Sequence, residues 1–209
     1  NDGSEDRCDI HFTMEAYAKL HTNTSMSQIQ RVTEITSAIP KEVMMVLAVL
    51  QNASYEAYLV GGCVRDIITG ALPKDWDITT SATPEQIIAL FPKTFYENNY
   101  GTVGVVTCGE DLGTVCSDES VKVVEVTPYR LETTYSDNRH PDQVMWSKNL
   151  ADDLARRDFT VNAMAYNPVT REIVDLYGGQ EDMYNKLIRA VGDADMRFGE
   201  DALRLMRAI

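Results

Sequence analysis

Asp75 and Asp77 are separated by one residue in the string Lys74-Asp75-Trp76-Asp77-Ile78-Thr79-Thr80. In an extended strand, side chains at i and i+2 share one face, roughly 6–7 Å apart. Two carboxylates so placed repel each other when bare, but together they can chelate divalent metal ions. A pair of neighbouring ions orients a polyphosphate, binds an attacking hydroxyl and stabilises a departing pyrophosphate. An all-oxygen site completed by phosphate ligands suits Mg²⁺. The same pair on the solvent face of an edge strand would do none of this, so further residues have to decide. Glu125, in Val123-Val124-Glu125-Val126-Thr127, is a third carboxylate. The alternation puts it on the face opposite Val124 and Val126, on a strand able to run beside the one bearing Asp77. Gly61 and Gly62 lie between an apolar run and a helical one. They predict a tight turn whose N–H groups face out at a helix N-terminus, a seat for phosphate. Arg65 follows within the first turn of that helix and could contact a triphosphate.

The elements that must hold these residues read as α/β. Ser27 to Ile39 suits a helix that Pro40 stops, and Val43, Val46, Leu47 and Leu50 mark the buried face of a second one. Tyr58 to Val60 is a short strand, Val64 to Thr69 a helix closed by Gly70, and Asp75 to Thr80 a strand. Thr83-Pro84-Glu85 opens a helix running to Phe91. Gly101 to Cys108 and Val121 to Thr127 read as strands flanking an acidic turn, in which Glu110, Asp111, Asp118 and Glu119 are expected to be solvated. Residues 130–149 suit a loop. Leu150 to Arg157 reads as a helix, Phe159 to Tyr166 as ordered core and Glu181 to Lys186 as a short helix. Gly199 to Ile209 begins a helix with no stop signal, which predicts a larger protein continuing beyond it.

Composition narrows the classes. Hydrophobic residues at 44% and charged ones at 24% describe a folded globular chain, and the longest apolar run, Val43 to Leu50, is far too short for a membrane span. The N-terminal stretch has no signal-peptide pattern, and the four cysteines lack a spacing that suggests zinc or a disulfide framework, so a reducing, cytoplasmic setting is expected. The formal charge of −13 argues against this chain being the main grip on RNA, although Arg156 with Arg157, and Arg197, Arg204 and Arg207, form local basic groups.

Six strings, taken in order, carry a resemblance: LVGGCVRD (59–66), KDWDITT (74–80), VEVTPYR (124–130), DDLARRDFTVNAMAYN (152–167), DLYGGQEDMYNKLIRAVG (175–192) and FGEDALRLMRAI (198–209). From about residue 57 onward the chain resembles the class II tRNA nucleotidyltransferases, the family that includes bacterial poly(A) polymerases. The resemblance implies a polymerase-β-like nucleotidyltransferase head with a small mixed sheet and flanking helices, followed by the start of a helical neck. In those terms residues 1–25 are an irregular N-terminal segment, 26–55 N-terminal helices, 56–180 the catalytic head and 181–209 the beginning of the nucleotide-selecting neck.

By motif, Asp75, Asp77 and Glu125 would hold two Mg²⁺ ions. Gly61, Gly62, Arg65 and Asp66 would form the triphosphate-proximal turn, with Arg157, Asp158 and Asn162 handling the ribose and phosphates. Asp201 and Arg204, at i and i+3 on one helical face, would read the base edge of CTP or ATP. Arg130 and Arg139 fall in the segment Arg130 to Met145, which resembles the loop associated with switching from C to A addition. The implied activity is addition of CCA to the 3′ end of tRNA, with no membrane partner. A-adding, CC-adding and poly(A)-adding enzymes share these motifs. A hydrolase, or a binding module that has kept the fold without catalysis, are the readings from other classes. The 109–120 turn is longer than the family's usual hairpin.

Overall fold

In this computed structural model the described residues are 37–96, 100–132, 144–201 and 203–208. Most of the expected helix at Ser27–Ile39, and Arg139, lie outside them.

Pro40 is extended (φ −60°, ψ 149°) and stands immediately before helix α1, Lys41–Asn52. Val43, Val46, Leu47 and Leu50 are 0–1% exposed along that helix. Each such side chain contributes about 1.5–3 kcal/mol on burial, so α1 is held by its packing rather than by helix propensity. Strand β1 (Ala57–Val60) passes through Gly61 into α2 (Gly62–Thr69), which ends on a left-handed Gly70. Next come β2 (Asp77–Thr80) and α3 (Pro84–Leu90). Thr83 and Gln86 form a reciprocal capping box at the start of α3, with proline as its first residue. Then follow β3 (Thr94–Tyr96), β4 (Val103–Val106) and β5 (Val123–Pro128). After a small hairpin of β6 (Arg130–Glu132) with β7 (Val144–Trp146) comes α4 (Leu150–Ala155). A 3₁₀ turn at Thr160–Asn162 leads into β8 (Met164–Asn167) and β9 (Glu172–Asp175). Helices α5 (Gly179–Tyr184), α6 (Ala194–Glu200) and α7 (Leu203–Met206) complete the order.

Seven of these strands form one mixed sheet, ordered β3-β4-β5-β2-β1-β8-β9. Only the β2–β5 pairing within it is parallel among the described residues. Alternation along the strands sorts the two faces. Leu59, Ile78, Val103, Val105, Val124 and Val126 point into the main core with α1, α2 and α3. Val60 and Ala165 point to the other face, where Leu154 of α4 covers them. The carboxylates lie on that second face, where Asp75 and Glu125 border a cavity.

Four sequence expectations need correction. Residues 130–149, read as a loop, carry the paired strands β6 and β7. Strand β9 was not anticipated, because Glu172 to Asp175 is an edge strand whose side chains are at best half buried, so it lacks a clean apolar alternation. The single helix expected from Gly199 is divided into α6 and α7 at Asp201, which is extended (φ −143°, ψ 107°) and whose side chain accepts from the Leu203 N–H at 2.9 Å. A carboxylate capping its own backbone in this way competes with helix continuation. Finally, Cys108 and Cys116 form a disulfide, with Cα atoms 5.4 Å apart, although their spacing gave no hint of one. Gly109 and Thr114 exchange backbone hydrogen bonds of 2.9 and 3.3 Å, and this fold-back brings the two cysteines together.

The far side of that turn is tied down separately. The Ser117 N–H and hydroxyl both donate to the buried Glu42 carboxylate of α1, at 2.9 and 2.8 Å. Closing a loop of this size removes unfolded-state entropy worth about 2 kcal/mol. Reduction with a dithiol, or the C108S/C116S double substitution, is therefore expected to lower the urea-unfolding free energy by roughly that amount. An unchanged unfolding midpoint would mean that the Gly109–Thr114 bridge and the Glu42 contacts hold the turn alone.

Candidate active site

Trp76 is 3% exposed and belongs to the main core, which aims its neighbours Asp75 and Asp77 at the opposite, open face. The strand itself begins at Asp77, with Asp75 in the bend before it, so it starts two residues later than expected. The ladder still reaches Trp76, whose carbonyl accepts from the Glu125 N–H at 3.2 Å. In the parallel β2–β5 pair, Asp77 lies directly opposite Glu125, Ile78 opposite Val126 and Thr79 opposite Thr127. Adjacent strands stand about 4.8 Å apart, so the two carboxylates rise side by side. Asp75 and Glu125 line one open cavity of about 420 Å³, together with Phe95, Glu119 and Lys122. Glu119 is solvated as expected, with its side chain 88% exposed, and stands on the rim of this cavity 3.7 Å from the Lys122 ammonium.

Burial pushes the Asp77 carboxyl above the ordinary carboxylate range; the Arg157 guanidinium opposes this and the Asp75 charge adds to it. Arg157 is held by Asp153, which is fully buried and accepts from Arg157 Nη2 at 3.0 Å and from Arg156 Nε and Nη2 at 2.9 and 2.7 Å. Burial alone would raise the Asp153 carboxyl, but the charges of Arg156 and Arg157 and their hydrogen bonds hold it below the usual range. Sequence reasoning missed Asp153. Its signal was available in the i, i+3 and i, i+4 spacing to two consecutive arginines, a geometry that brings them to one helical carboxylate. Cys63 lies beneath the site, its thiol directed at the carbonyls of Val60 (3.3 Å) and Asp77 (3.8 Å). Burial pushes this thiol up to about 12, so it remains a protonated packing group.

Gly61 has φ +78° and ψ −137°, a conformation that L side chains rarely adopt. A Cβ there would lie 3.0 Å from Arg157 Nη1 and 3.8 Å from Asp77 Oδ2. The glycine therefore lets the turn close onto the carboxylate and the arginine together. Its N–H does not face out as expected, because it donates to the Met164 carbonyl at 3.2 Å. Arg65 grips Asp66 Oδ1 through Nε and Nη2 (2.9 and 2.7 Å) and donates from Nη1 to Asn162 Oδ1 at 2.7 Å. Asn162 Nδ2 donates in turn to Asp158 Oδ1 at 3.3 Å, and that oxygen also accepts from the Phe159 N–H at 2.8 Å. One hydrogen-bonded chain thus joins Arg65, Asp66, Asn162 and Asp158, and Arg207 reaches Asp158 Oδ2 at 3.5 Å.

The pair meant to read a base is arranged differently from expectation. Asp201 and Arg204 are both buried, at 7% and 5% exposure, and do not share one uninterrupted helical face. Arg204 Nη1 engages Glu200 Oε2 and the Arg197 carbonyl, which turns the guanidinium inward. Arg130 donates to the Tyr100 carbonyl at 2.8 Å and packs over the Tyr100 ring.

Among the described residues no three carboxylate, thiol or imidazole groups form a closed metal cluster. The donor set nevertheless fits Mg²⁺. Two carboxylates stand in register on adjacent strands and a third lies on the cavity wall, leaving most coordination positions to water and phosphate oxygens.

Asp153 gives this site a measurable acid limb. Its folded pKa is depressed, so its stabilisation is complete above the unfolded value of about 4 and is lost as pH falls below it. Asp153→Asn is expected to cost about 3 kcal/mol at pH 7, because two cations lose their buried partner. It should also flatten the loss of urea stability between pH 4 and the acid transition. A variant that retained the full acid limb would show that other carboxylates cause it.

Residues 57–189 match the family model described as the poly A polymerase head domain. The chain is 46% identical over 177 residues to the CCA-adding enzyme of Leuconostoc citreum, covering 83% of this chain and 41% of that one. It is 46% identical over 169 residues to the CCA-adding enzyme of Lactobacillus helveticus, covering 80% and 39%. The crystal structure of the Bacillus stearothermophilus CCA-adding enzyme in complex with CTP superposes with a TM-score of 0.67 at 40% identity, over 80% of this chain and 37% of that one. The chain thus spans about two fifths of the length of these relatives. With its mixed sheet, its carboxylates in register and this match over most of its length, the chain belongs to the poly A polymerase head-domain family.

Proposed function

We propose that the chain is the catalytic head of a template-independent RNA nucleotidyltransferase that adds CMP, CMP and AMP from CTP and ATP to the 3′ end of tRNA. The observation that carries this reading is the register of Asp77 against Glu125, with Asp75 on the same cavity and the Gly61 turn and Arg157 packed against Asp77. A cytoplasmic setting goes with it. So does the division into N-terminal helices, a head at 56–180 and the start of a neck at 181–209.

In this reading Asp75, Asp77 and Glu125 would hold two Mg²⁺ ions, whose charge would lower the pKa of an attacking hydroxyl and screen the β- and γ-phosphates. The RNA 3′-oxygen forms a bond to the α-phosphorus, the bond to the leaving oxygen breaks, and pyrophosphate departs. Asp153 and the Gly61 turn fix the Arg157 guanidinium beside Asp77, where it meets the negative charge of the triphosphate. Arg65 and Asn162, already bonded to each other, orient the ribose and phosphates, and Asp158 locks Asn162 from behind. Base reading by Asp201 and Arg204 belongs to the same proposal and requires Arg204 to exchange Glu200 for the base edge. Arg130 and Arg139 belong to the loop that accompanies the change from C to A.

The test uses tRNA transcripts ending at position 73, at C74 and at C75, each supplied with CTP, ATP or both, with product length read to one nucleotide. Stepwise completion to CCA followed by arrest is the expected result. Addition of cytidines alone, of the final adenosine alone, or of a long A tail would replace this reading with the corresponding rival. Asp77→Ala and Glu125→Gln are each expected to lower incorporation by about 100-fold or more, beyond the usual effect of second-layer residues at metal sites. Incorporation that survived either change would remove the proposed metal ligands.

A further inference from the structure

We propose that Phe95 is a stacking platform for the terminal base of the RNA strand entering the catalytic cavity, an inference that rests on the nucleotidyltransferase reading. Across four neighbouring strands the register runs Phe95 opposite Gly104, Gly104 opposite Glu125, and Glu125 opposite Asp77. Directly opposed residues share a face, so Phe95 rises on the same side of the sheet as the carboxylates. It lines the same cavity as Asp75 and Glu125. A Cβ at position 104 would stand 2.5–2.8 Å from Phe95 Cζ, Cε1 and Cε2. The missing side chain is what lets the ring lean over β4 towards Glu125, and yet Phe95 is 42% exposed. The ring therefore presents an accessible aromatic surface to the cavity that Asp75, Glu119 and Glu125 also line.

The layout of the sheet says what would meet that surface. The groups assigned to the triphosphate lie on one flank of the carboxylates: Gly61 follows β1, and Arg157 and Asn162 precede β8. Phosphoryl transfer places the attacking and leaving oxygens roughly in line. A leaving pyrophosphate on the β1–β8 flank therefore brings the RNA 3′-hydroxyl from the β4–β3 flank, where Phe95 stands. Stacking also suits the task chemically. Successive additions change the terminal base, so its holder must accept any base, and an aromatic face does so.

The rival is that the ring only shields the bare backbone of Gly104. The two are separated with a short RNA carrying 2-aminopurine as its 3′-terminal base, whose fluorescence is quenched when it stacks. Titration with the full chain is expected to quench it. Phe95→Ala should abolish the quench and raise the KM for RNA about tenfold, leaving the KM for CTP and kcat at saturating RNA within about twofold. Phe95→Trp should keep the quench. Phe95→Leu covers Gly104 but cannot stack, and should behave like Phe95→Ala. Unquenched or absent binding by the unsubstituted chain, or wild-type behaviour of Phe95→Leu, would overturn the inference. Normal tRNA extension alongside either result leaves the catalytic reading standing. A Phe95-dependent quench without any incorporation would instead retain the platform and remove the reaction.

Discussion

The catalytic end of this molecule depends on the parallel pairing of β2 with β5. That pairing sets Asp77 opposite Glu125 and, in the same stroke, Ile78 opposite Val126. Side chains alternate with period two, so a slip of one residue would turn Glu125 into the core and bring Val124 or Val126 to the surface. Ile78, Val124 and Val126 are 0% exposed, and moving one of them into water forfeits about 1.5–3 kcal/mol, besides the cost of burying a carboxylate. The hydrophobic core and the site therefore demand the same register. Trp76 extends this logic beyond the strand, since its burial aims Asp75 at the same open face.

A second constraint is electrostatic. A chain of net charge −13 that gathers acidic groups on one face has to place cations by design rather than by abundance. It does so with buried carboxylates used as anchors. Asp153 fixes Arg156 and Arg157, and Asp182 accepts from Thr160 and Arg189. The anchors are buried, and the cations they hold are each more exposed than their partner. Arg157 Nε remains buried without a hydrogen-bond partner among the described residues, an unsatisfied donor of the kind that native structures keep for a reason.

Much of this was legible in the sequence, for physical reasons that can be named. The face of α1 came from the spacing of Val43, Val46, Leu47 and Leu50, and α3 from Thr83, Pro84 and Glu85, because both signals are local. The position of Glu125 came from strict alternation, and its strand does run beside the one bearing Asp77. What stayed hidden depends on distant partners. Edge strand β9 buries too little to show a pattern, and the Cys108–Cys116 pairing needed the Gly109–Thr114 fold-back. The break at Asp201 turned on a side chain capping its own backbone, where helical spacing alone predicts continuity. Spacing likewise set Arg204 beside Asp201 on one helical face, whereas Glu200 and two backbone carbonyls hold its guanidinium inside.

In the proposed reading the sheet order also shows how so small a head would keep its substrates apart. Strands β5 and β2 occupy the middle, with β1, β8 and β9 to one side and β4 and β3 to the other. The first side is cross-linked by polar contacts, with Gly61 close against Arg157, Arg157 bonded to Asp153, and Asn162 bonded to Arg65 and Asp158. It suits a ligand of constant shape, such as a triphosphate. The second side offers an aromatic ring, a glycine floor and the exposed Glu119–Lys122 pair, with few fixed polar partners. It suits a ligand whose bases differ from one turnover to the next. Template-independent addition, as proposed, would have to combine these two demands, and a central pair of strands bearing the carboxylates lets one sheet meet both.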